Sequence, residues 1–400
     1  MEYCAVIPWV LIITVFTMIK AQDPVRVEPP PHTYQAFFTK IGCENWGYGG
    51  IDVVGSDSMV FPFSNPALLS AKRLSAGIEL AKNENSRDPF SFKFANRWLL
   101  PSYAVIQFPL KAWKMAAGYA NYYDLHIVFD PEEIRTIQQP AGTGEYWEAQ
   151  IKIQLHNFFY AVQYSFHPKF SIGLNLGANY LRRREEISTI GASGDGWSWQ
   201  SVAGIAYMPD ENLTFAASFR YLHYINYTID ISENGLLIQE PETGIAGDNE
   251  TGIASLQQEF TGEARFPWEI KLGLSYGFLS VFQMFSMINF QKWSRVNSVY
   301  DDQQQFHIGL QARAFPTTHL SFGFFTQWEA DDRDPSIGKY LSSKFITLGL
   351  SQKLFRKFQF NISYLDSRLF TNPEVERDFE EDKDTFHQIR VLLGLQYTFL

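Results

Sequence analysis

From Arg73 to the last residue the chain repeats one pattern, apolar and polar residues in strict alternation over long runs. Run 170–180 places Phe170, Ile172, Leu174, Leu176, Ala178 and Tyr180 on one face, and Ser171, Gly173, Asn175, Gly177 and Asn179 on the other. Run 266–278 sets Phe266, Trp268, Ile270, Leu272, Leu274, Tyr276 and Phe278 against Glu269, Lys271, Gly273, Ser275 and Gly277. The last run sets Ile389, Val391, Leu393, Leu395, Tyr397 and Phe399 against Gln388, Arg390, Gly394, Gln396 and Thr398. Successive side chains of a strand point to opposite faces, so each run reads as a strand with one apolar face. Soluble strands average about 5–6 residues, whereas crossing a bilayer at a tilt takes about 9–11. Aromatics stand at the ends of the apolar faces with aliphatics between, as in a lipid-facing band held between two aromatic girdles.

This periodicity predicts strands near 73–83, 97–109, 113–128, 145–166, 169–187, 195–208, 212–230, 262–278, 281–292, 304–314, 317–330, 344–354, 357–370 and 386–400, fourteen in all. An even number is what a bacterial single-chain barrel needs. The connectors sort into two alternating kinds. Leu110–Ala112, His167-Pro168, Pro209–Glu211, Leu279-Ser280, Phe315-Pro316 and Phe355-Arg356 are tight, whereas 84–96, 129–144, 188–194, 231–261, 293–303, 331–343 and 371–385 are long. Short turns on the periplasmic side and long loops outside are the outer-membrane arrangement. The expected fold is therefore all-β, a transmembrane antiparallel β-barrel of about 14 strands over residues 73–400, with an N-terminal plug.

The long loops are acidic, with six carboxylates and no Lys or Arg between 231 and 261. No loop, including Asp331-Asp332-Arg333-Asp334, spaces ligands as an EF-hand does, so a solvated surface and no metal is the expectation. The net charge of −10 argues against nucleic acid as a partner. After residue 22 no apolar run is long enough for a spanning helix. Aromatics make up 16% of the chain, in keeping with strands and girdles. The sequence has no H-E-x-x-H, G-x-S-x-G, P-loop or Rossmann glycine pattern, and its eight His are dispersed. Neither an enzyme nor a cofactor is expected.

Tyr3–Ile19 is a short apolar run followed by Lys20-Ala21-Gln22, which reads as a secretory signal peptide over 1–21. An uncleaved anchor is the alternative. Residues 22–41, with Pro24 and Pro29-Pro30-Pro31, read as an extended lead-in. Cys43 would then stand alone in the mature chain, without a disulfide. Residues 42–72 are neither signal, strand nor loop: glycines at 47, 49, 50 and 55 lead to Asn65-Pro66-Ala67. Such a stretch suits a compact irregular segment inside the barrel.

Gly47, Gly49 and Gly50, then Gly55-Ser56-Asp57-Ser58, then Asn65-Pro66-Ala67 just before the first strand resemble the hatch of the FadL-type outer-membrane transporters of hydrophobic compounds, the toluene-transport family. That family commonly follows Asn-Pro-Ala with Gly-Leu, where this chain has Leu68-Leu69. The resemblance covers residues 42–400 and implies a fourteen-stranded barrel with a periplasmic N-terminus, in the outer membrane. It implies passive transfer of a hydrophobic ligand such as a long-chain fatty acid, released sideways through a gap in the wall. A PorV-type branch of the same architecture serves protein secretion instead, and a purely structural barrel is a further alternative. The terminal Tyr397-Thr398-Phe399-Leu400 resembles the recognition signal of the barrel-assembly machinery, displaced by one residue.

Three features bear on such a role. In run 145–166 the apolar face reads Trp147, Ala149, Ile151, Ile153 and Leu155, then Phe158, Tyr160, Val162, Tyr164 and Phe166. That parity change predicts a wall bulge at His156-Asn157, either an opening or an ordinary irregularity. Arg220, Lys271 and Arg390 lie on polar faces, and each would cost about 2–4 kcal/mol at mid-depth in lipid, so they are expected to point inward. There they contact a carboxylate ligand, or else pair with Glu269 or the plug backbone. In Arg182-Arg183-Arg184 the middle residue is expected inward, and its neighbours outward to lipid headgroups or lipopolysaccharide phosphates.

Overall fold

Every long strand pairs antiparallel with its sequence neighbours, and the first closes on the last from Ser75↔Thr398 to Asn85↔Gln388. The computed structural model describes residues 41–55, 59–69, 74–85, 92–94, 100–110, 112–129, 132–133, 146–147, 149–187, 190–233, 258–298, 300–328, 343–355, 357–367 and 388–399. The stretch expected to be a signal peptide, most of the lead-in and most of the long connectors lie outside the described residues. The strands are β1 (Ser75–Asn85), β2 (Leu100–Leu110), β3 (Trp113–Phe129), β4 (Ala149–His167) and β5 (Phe170–Ile187). They continue as β6 (Ile190–Tyr207), β7 (Leu213–Leu222, resuming as Ile225–Glu233) and β8 (Gln258–Ala264, resuming as Glu269–Phe278). The circuit is completed by β9 (Phe282–Gln291), β10 (Gln303–Phe315), β11 (Thr318–Gln327), β12 (Ser343–Leu354), β13 (Phe358–Asp366) and β14 (Gln388–Thr398). This is an all-β, fourteen-stranded closed antiparallel barrel. Closure matters because hydrocarbon offers no partner to an unpaired backbone N–H or C=O.

The alternation survives intact in the folded chain. On β5, Ile172, Leu174 and Leu176 face outward and are exposed, while Ser171, Asn175 and Asn179 face inward and are buried. Two aromatic rows bound the outer band. The lower row joins Trp113 to Tyr164 (centroids 4.7 Å apart), Phe170 to Tyr207 (6.4 Å) and Phe358 to Tyr397 (4.7 Å). The upper row runs Tyr119, His156, Tyr180, Trp197, with successive centroids 5.9, 6.4 and 4.9 Å apart. Phe170 and Tyr180 stand ten residues apart on β5. At about 3.3 Å per residue and a tilt near 40°, that rises about 25 Å, the height of a barrel's apolar band.

Strands β3 to β8 continue beyond the upper row, and there polarity inverts. On β4 the residues facing inward are Ile153 and Leu155 above the row, and Asn157, Phe159, Ala161 and Gln163 below it. Those of the opposite parity are Lys152 and Gln154 above, the latter buried against Asp124, His156 in the row, and the exposed Phe158 and Tyr160 below. The bulge expected at His156-Asn157 is not on this strand. Pairing of β4 with β5 runs unbroken through His156↔Tyr180 and Asn157↔Asn179. Its pairing with β3 shifts between Asn121 and Tyr123, which leaves Tyr122 as the extra residue on the neighbour. The parity change therefore has another cause: the surroundings exchange, with hydrocarbon outside a partly polar interior below, and headgroups and water outside an apolar interior above.

The tight turns lie on the rim where β1 begins and β14 ends. Leu279 and Ser280 join β8 to β9 with φ of 52° and 53°, the left-handed backbone of the mirror-image hairpin turn. Neither residue favours that region, which costs a side-chain-bearing residue about 1–2 kcal/mol. Ser280→Gly is expected to raise barrel stability by about 1 kcal/mol, read as a higher urea midpoint for the folded form in lipid vesicles.

Candidate functional site: the plug and its seat

Residues 41–55 and 59–69 fill the interior with a five-residue helix (Cys43–Gly47), one turn of helix at Phe61–Ser64 and a 3-10 turn at Pro66–Leu68. Regular elements this short leave most backbone groups without internal partners, so the wall must supply them. Glu79 of β1 accepts the N–H groups of both Gly42 and Cys43 at 2.8 Å. Thr347 of β12 accepts from the N–H of Gly49 at 3.0 Å and donates to the carbonyl of Gly47 at 3.1 Å. His307 Nδ1 of β10 lies 2.6 Å from the Gly49 carbonyl and donates to it. Ser171 donates to Ala67 O (2.7 Å), Asn175 to Pro62 O (2.6 Å) and Tyr103 to Met59 O (2.7 Å). The polar inward faces of the strands are thus the plug's hydrogen-bonding surface.

The residues singled out in the sequence occupy this interface. Gly49 has φ 92° and lies against the backbone of β10 and β11. Gly47 meets a wall glycine, and a Cβ at Gly349 would stand 2.6 Å from its Cα. Gly50 also has positive φ, and Trp46 covers its face. Asn65 caps the 3-10 turn, with Oδ1 accepting from Ala67 N at 3.2 Å, and its Nδ2 donates to Val53 O at 2.9 Å. Pro66 and Ala67 lie against Gly173, and Asn65 against Gly204, where the wall carries no side chain. Cys43 is fully buried, its thiol donating to the carbonyl of Leu392 at 3.3 Å.

Arg220, Lys271 and Arg390 point inward and are 5%, 9% and 2% exposed. Arg220 donates to Phe63 O (3.0 Å), pairs with Glu269 (3.6 Å) and stacks over Phe63 (4.3 Å) and Tyr122 (4.9 Å). Lys271 grips Asp52 of the plug at 2.7 Å and lies 3.8 Å from Glu269. Arg390 donates to Gln388 (2.8 Å). The first two hold the plug, the arrangement left open beside ligand contact in the sequence. Asp52, Glu44 and Phe63 of the plug and Glu79 of the wall escaped notice because nothing local marks such residues as partners across 36 to 315 positions of sequence. A cavity of about 80 Å³ remains between plug and wall beside Asp52, Phe63, Tyr122, Arg220, Glu269 and Lys271.

Two further features adjoin this latch. Above the plug the interior of β3 to β8 is apolar, with Leu125, Ile153, Leu155, Leu181, Leu222 and Ile225 all buried in one cluster. Among the described residues the β2–β3 ladder stops at Tyr103↔Ala120, and on that edge only Phe92–Phe94 pairs with the top of β3. The bulged Tyr122 stands just past that end, 5.5 Å from the Phe63 ring. One plug side chain, Phe63, therefore touches both the buried cation and the wall irregularity.

A closed antiparallel barrel of fourteen strands filled from one rim by its own N-terminal segment is a plugged membrane barrel. Compared as sequence, the chain matches no protein-family model and no curated protein. Compared as structure, it is similar to the toluene transporter TbuX of Ralstonia pickettii, with TM-score 0.64 and 11% identity over 90% of this chain and 98% of that one. It is also similar to a Pseudomonas aeruginosa FadL homologue (TM-score 0.61, 12% identity, 91% and 100% covered). The Pseudomonas putida toluene transporter TodX aligns with TM-score 0.60 and 13% identity over 91% of this chain and 100% of that one. The shared property is the fold.

Two outcomes are expected if the latch and the close approach seat the plug. Removing one partner of a buried pair costs about 3–5 kcal/mol, so Arg220→Ala with Lys271→Ala, in a Cys4→Ser background, should speed maleimide labelling of Cys43 by roughly tenfold or more. Gly349→Val should do the same by displacing Gly47, while Gly277→Ala, which meets only ordinary contacts near Asn212, should leave labelling slow.

Proposed function

We propose that this chain is a passive outer-membrane transporter of hydrophobic small molecules, such as long-chain fatty acids or monoaromatic compounds. The observation that supports it most is the apolar interior above the plug, Ile153, Leu155, Leu181, Leu222 and Ile225, where a diffusion pore would be polar and water-filled. A ligand transferred from water into that lining gains about 25 cal/mol per Å² of apolar surface buried. Phe63, Tyr103, Tyr122 and Phe159 continue the lining down to the plug, and their flat rings suit aromatic as well as aliphatic guests. TbuX and TodX, which share this fold, are toluene transporters.

In this reading the ligand enters from the outer side and settles on Phe63. It leaves sideways past Tyr122, where the β2–β3 ladder ends. The Arg220 and Lys271 contacts hold the plug shut against water meanwhile. No bond is made or broken, so the protein works without a catalytic group or a cofactor. Export by the N-terminal signal, insertion by an assembly machinery that reads Phe399, and seating among outer-membrane lipids and lipopolysaccharide belong to the same proposal.

Proteoliposomes test it. Wild type should accelerate uptake of a labelled fatty acid or of toluene over protein-free vesicles. A buried Leu is worth about 1.5–3 kcal/mol of apolar contact, so Leu155→Glu should cut that rate roughly tenfold while the barrel stays folded. Uptake equal to protein-free vesicles would reject transport. Intact uptake in cells lacking the gene, with secreted proteins retained in the periplasm, would favour the accessory role instead.

A further inference from the structure

The extension of β5 to β8 above the upper aromatic row carries a second concave site, outside the barrel and unconnected with the plug. Pairing places Arg182 opposite Asp195, Asp195 opposite Thr228, and Thr228 opposite Thr261, so these four form one row across four strands. Asn226 and Glu263 pair in the row below. Exposure alternates along each strand and assigns the side chains to the outer face: Asp195, Asn226, Thr228 and Thr261 are exposed, whereas Tyr227 and Gly262 between them are buried. Against this face lies a cavity of about 620 Å³, lined by Asp195, Asn226, Tyr227, Thr228, Thr261, Gly262 and the Glu263–Arg265 ion pair. That volume falls within the range of small-molecule sites, about 300–1,000 Å³.

Its chemistry is specific. Two carboxylates, an amide, two hydroxyls and a guanidinium offer acceptors and donors to a polyhydroxylated guest. Trp197, 59% exposed, is the next outward residue below Asp195 on β6, and offers a flat ring of the kind a sugar face packs against. On the flank Arg182 and Arg184 face outward, Arg184 in an exposed ion pair with Glu186 at 3.2 Å. Height selects among possible guests. Arg182 and Asp195 sit two residues beyond Tyr180 and Trp197, about 7 Å along the strand from the end of the apolar band. At that height the neighbours of a seated barrel are the headgroups of the outer leaflet.

The geometry points to a binding site for the phosphorylated sugar headgroup of an outer-leaflet glycolipid, with sugar hydroxyls on Asp195, Asn226, Thr228 and Glu263 and phosphate on Arg182 and Arg184. Guanidinium groups suit phosphate because they offer paired donors in a planar fork. The inference rests on the barrel's seat in the outer membrane and not on what it transports.

Labelled lipopolysaccharide titrated against the barrel in nanodiscs tests it, with phosphatidylglycerol and delipidated core saccharide as competitors. Wild type should prefer lipopolysaccharide over phosphatidylglycerol by at least tenfold. Asn226→Ala with Thr228→Ala should erase that preference but keep the weaker affinity shared with phosphatidylglycerol. Arg182→Ala with Arg184→Ala should weaken both lipids about tenfold, and Arg182→Lys should recover only part. All of these changes lie on the outer face, so the heat-modifiable folded form and solute uptake should stay at wild-type levels. Equal binding of the two lipids by wild type, or lipopolysaccharide binding untouched by the Asn226 and Thr228 changes, overturns the site. Free core saccharide competing as well as the intact lipid overturns the lipid-anchored guest. Loss of uptake alone would bear on transport and leave this inference standing.

Discussion

An irregular backbone inside a membrane barrel must have its amides and carbonyls satisfied by the wall, and the interior of this protein is arranged around that need. Glu79 accepts the first two N–H groups of the plug, Thr347 and His307 bracket Gly49, and Ser171 and Asn175 serve the Pro62–Ala67 end. Each of those wall residues occupies the inward parity of a strand whose other parity meets lipid. The same alternation that makes the outside greasy therefore supplies the donors and acceptors inside. Where the plug backbone comes closest, as at Gly47 and Gly349, both sides dispense with a side chain.

The latch combines two kinds of contact on one stretch of wall. Arg220 holds a plug carbonyl and two aromatic faces while Glu269 balances its charge, and Lys271 holds Asp52. Buried pairs of this kind are poor sources of net stability, because desolvation offsets most of the attraction, but they are costly to break one partner at a time. They therefore give the plug a defined seat more than a deep one. Phe63 links that seat to the bulged Tyr122, so displacement of the plug and a change at the end of the β2–β3 ladder involve the same side chain.

The strand count, their order and the inward pointing of Arg220, Lys271 and Arg390 were legible because each depends on parity alone, whereas the connector expected to be long over 188–194 is tight, with Ile187 paired to Ile190 and 191–194 continuing the strand. The plug was legible as the stretch left over between leader and first strand. Its contacts were not, since a register between an irregular segment and fourteen strands has no periodicity to betray it. The parity change in β4 was legible too, but its cause was not. A bulge and an exchange of surroundings leave the same trace along one strand, and only pairing on both sides tells them apart, through Asn157↔Asn179 and the shift at Tyr122.

By itself the sequence determined a closed all-β barrel. Fourteen half-apolar strands longer than a soluble domain needs can bury their apolar faces only in lipid, and can satisfy their edges only by joining β1 to β14. Tertiary structure alone decided what lies inside. It set Phe63 against Tyr122, Asp52 against Lys271 and Glu79 against Gly42, and it turned the apolar face of β4 inward above His156. The physical reason is that alternation tells two faces apart without saying what each will meet. Below the upper aromatic row the outer face meets hydrocarbon, above it headgroups and water, and that boundary appears only once neighbouring strands stand side by side.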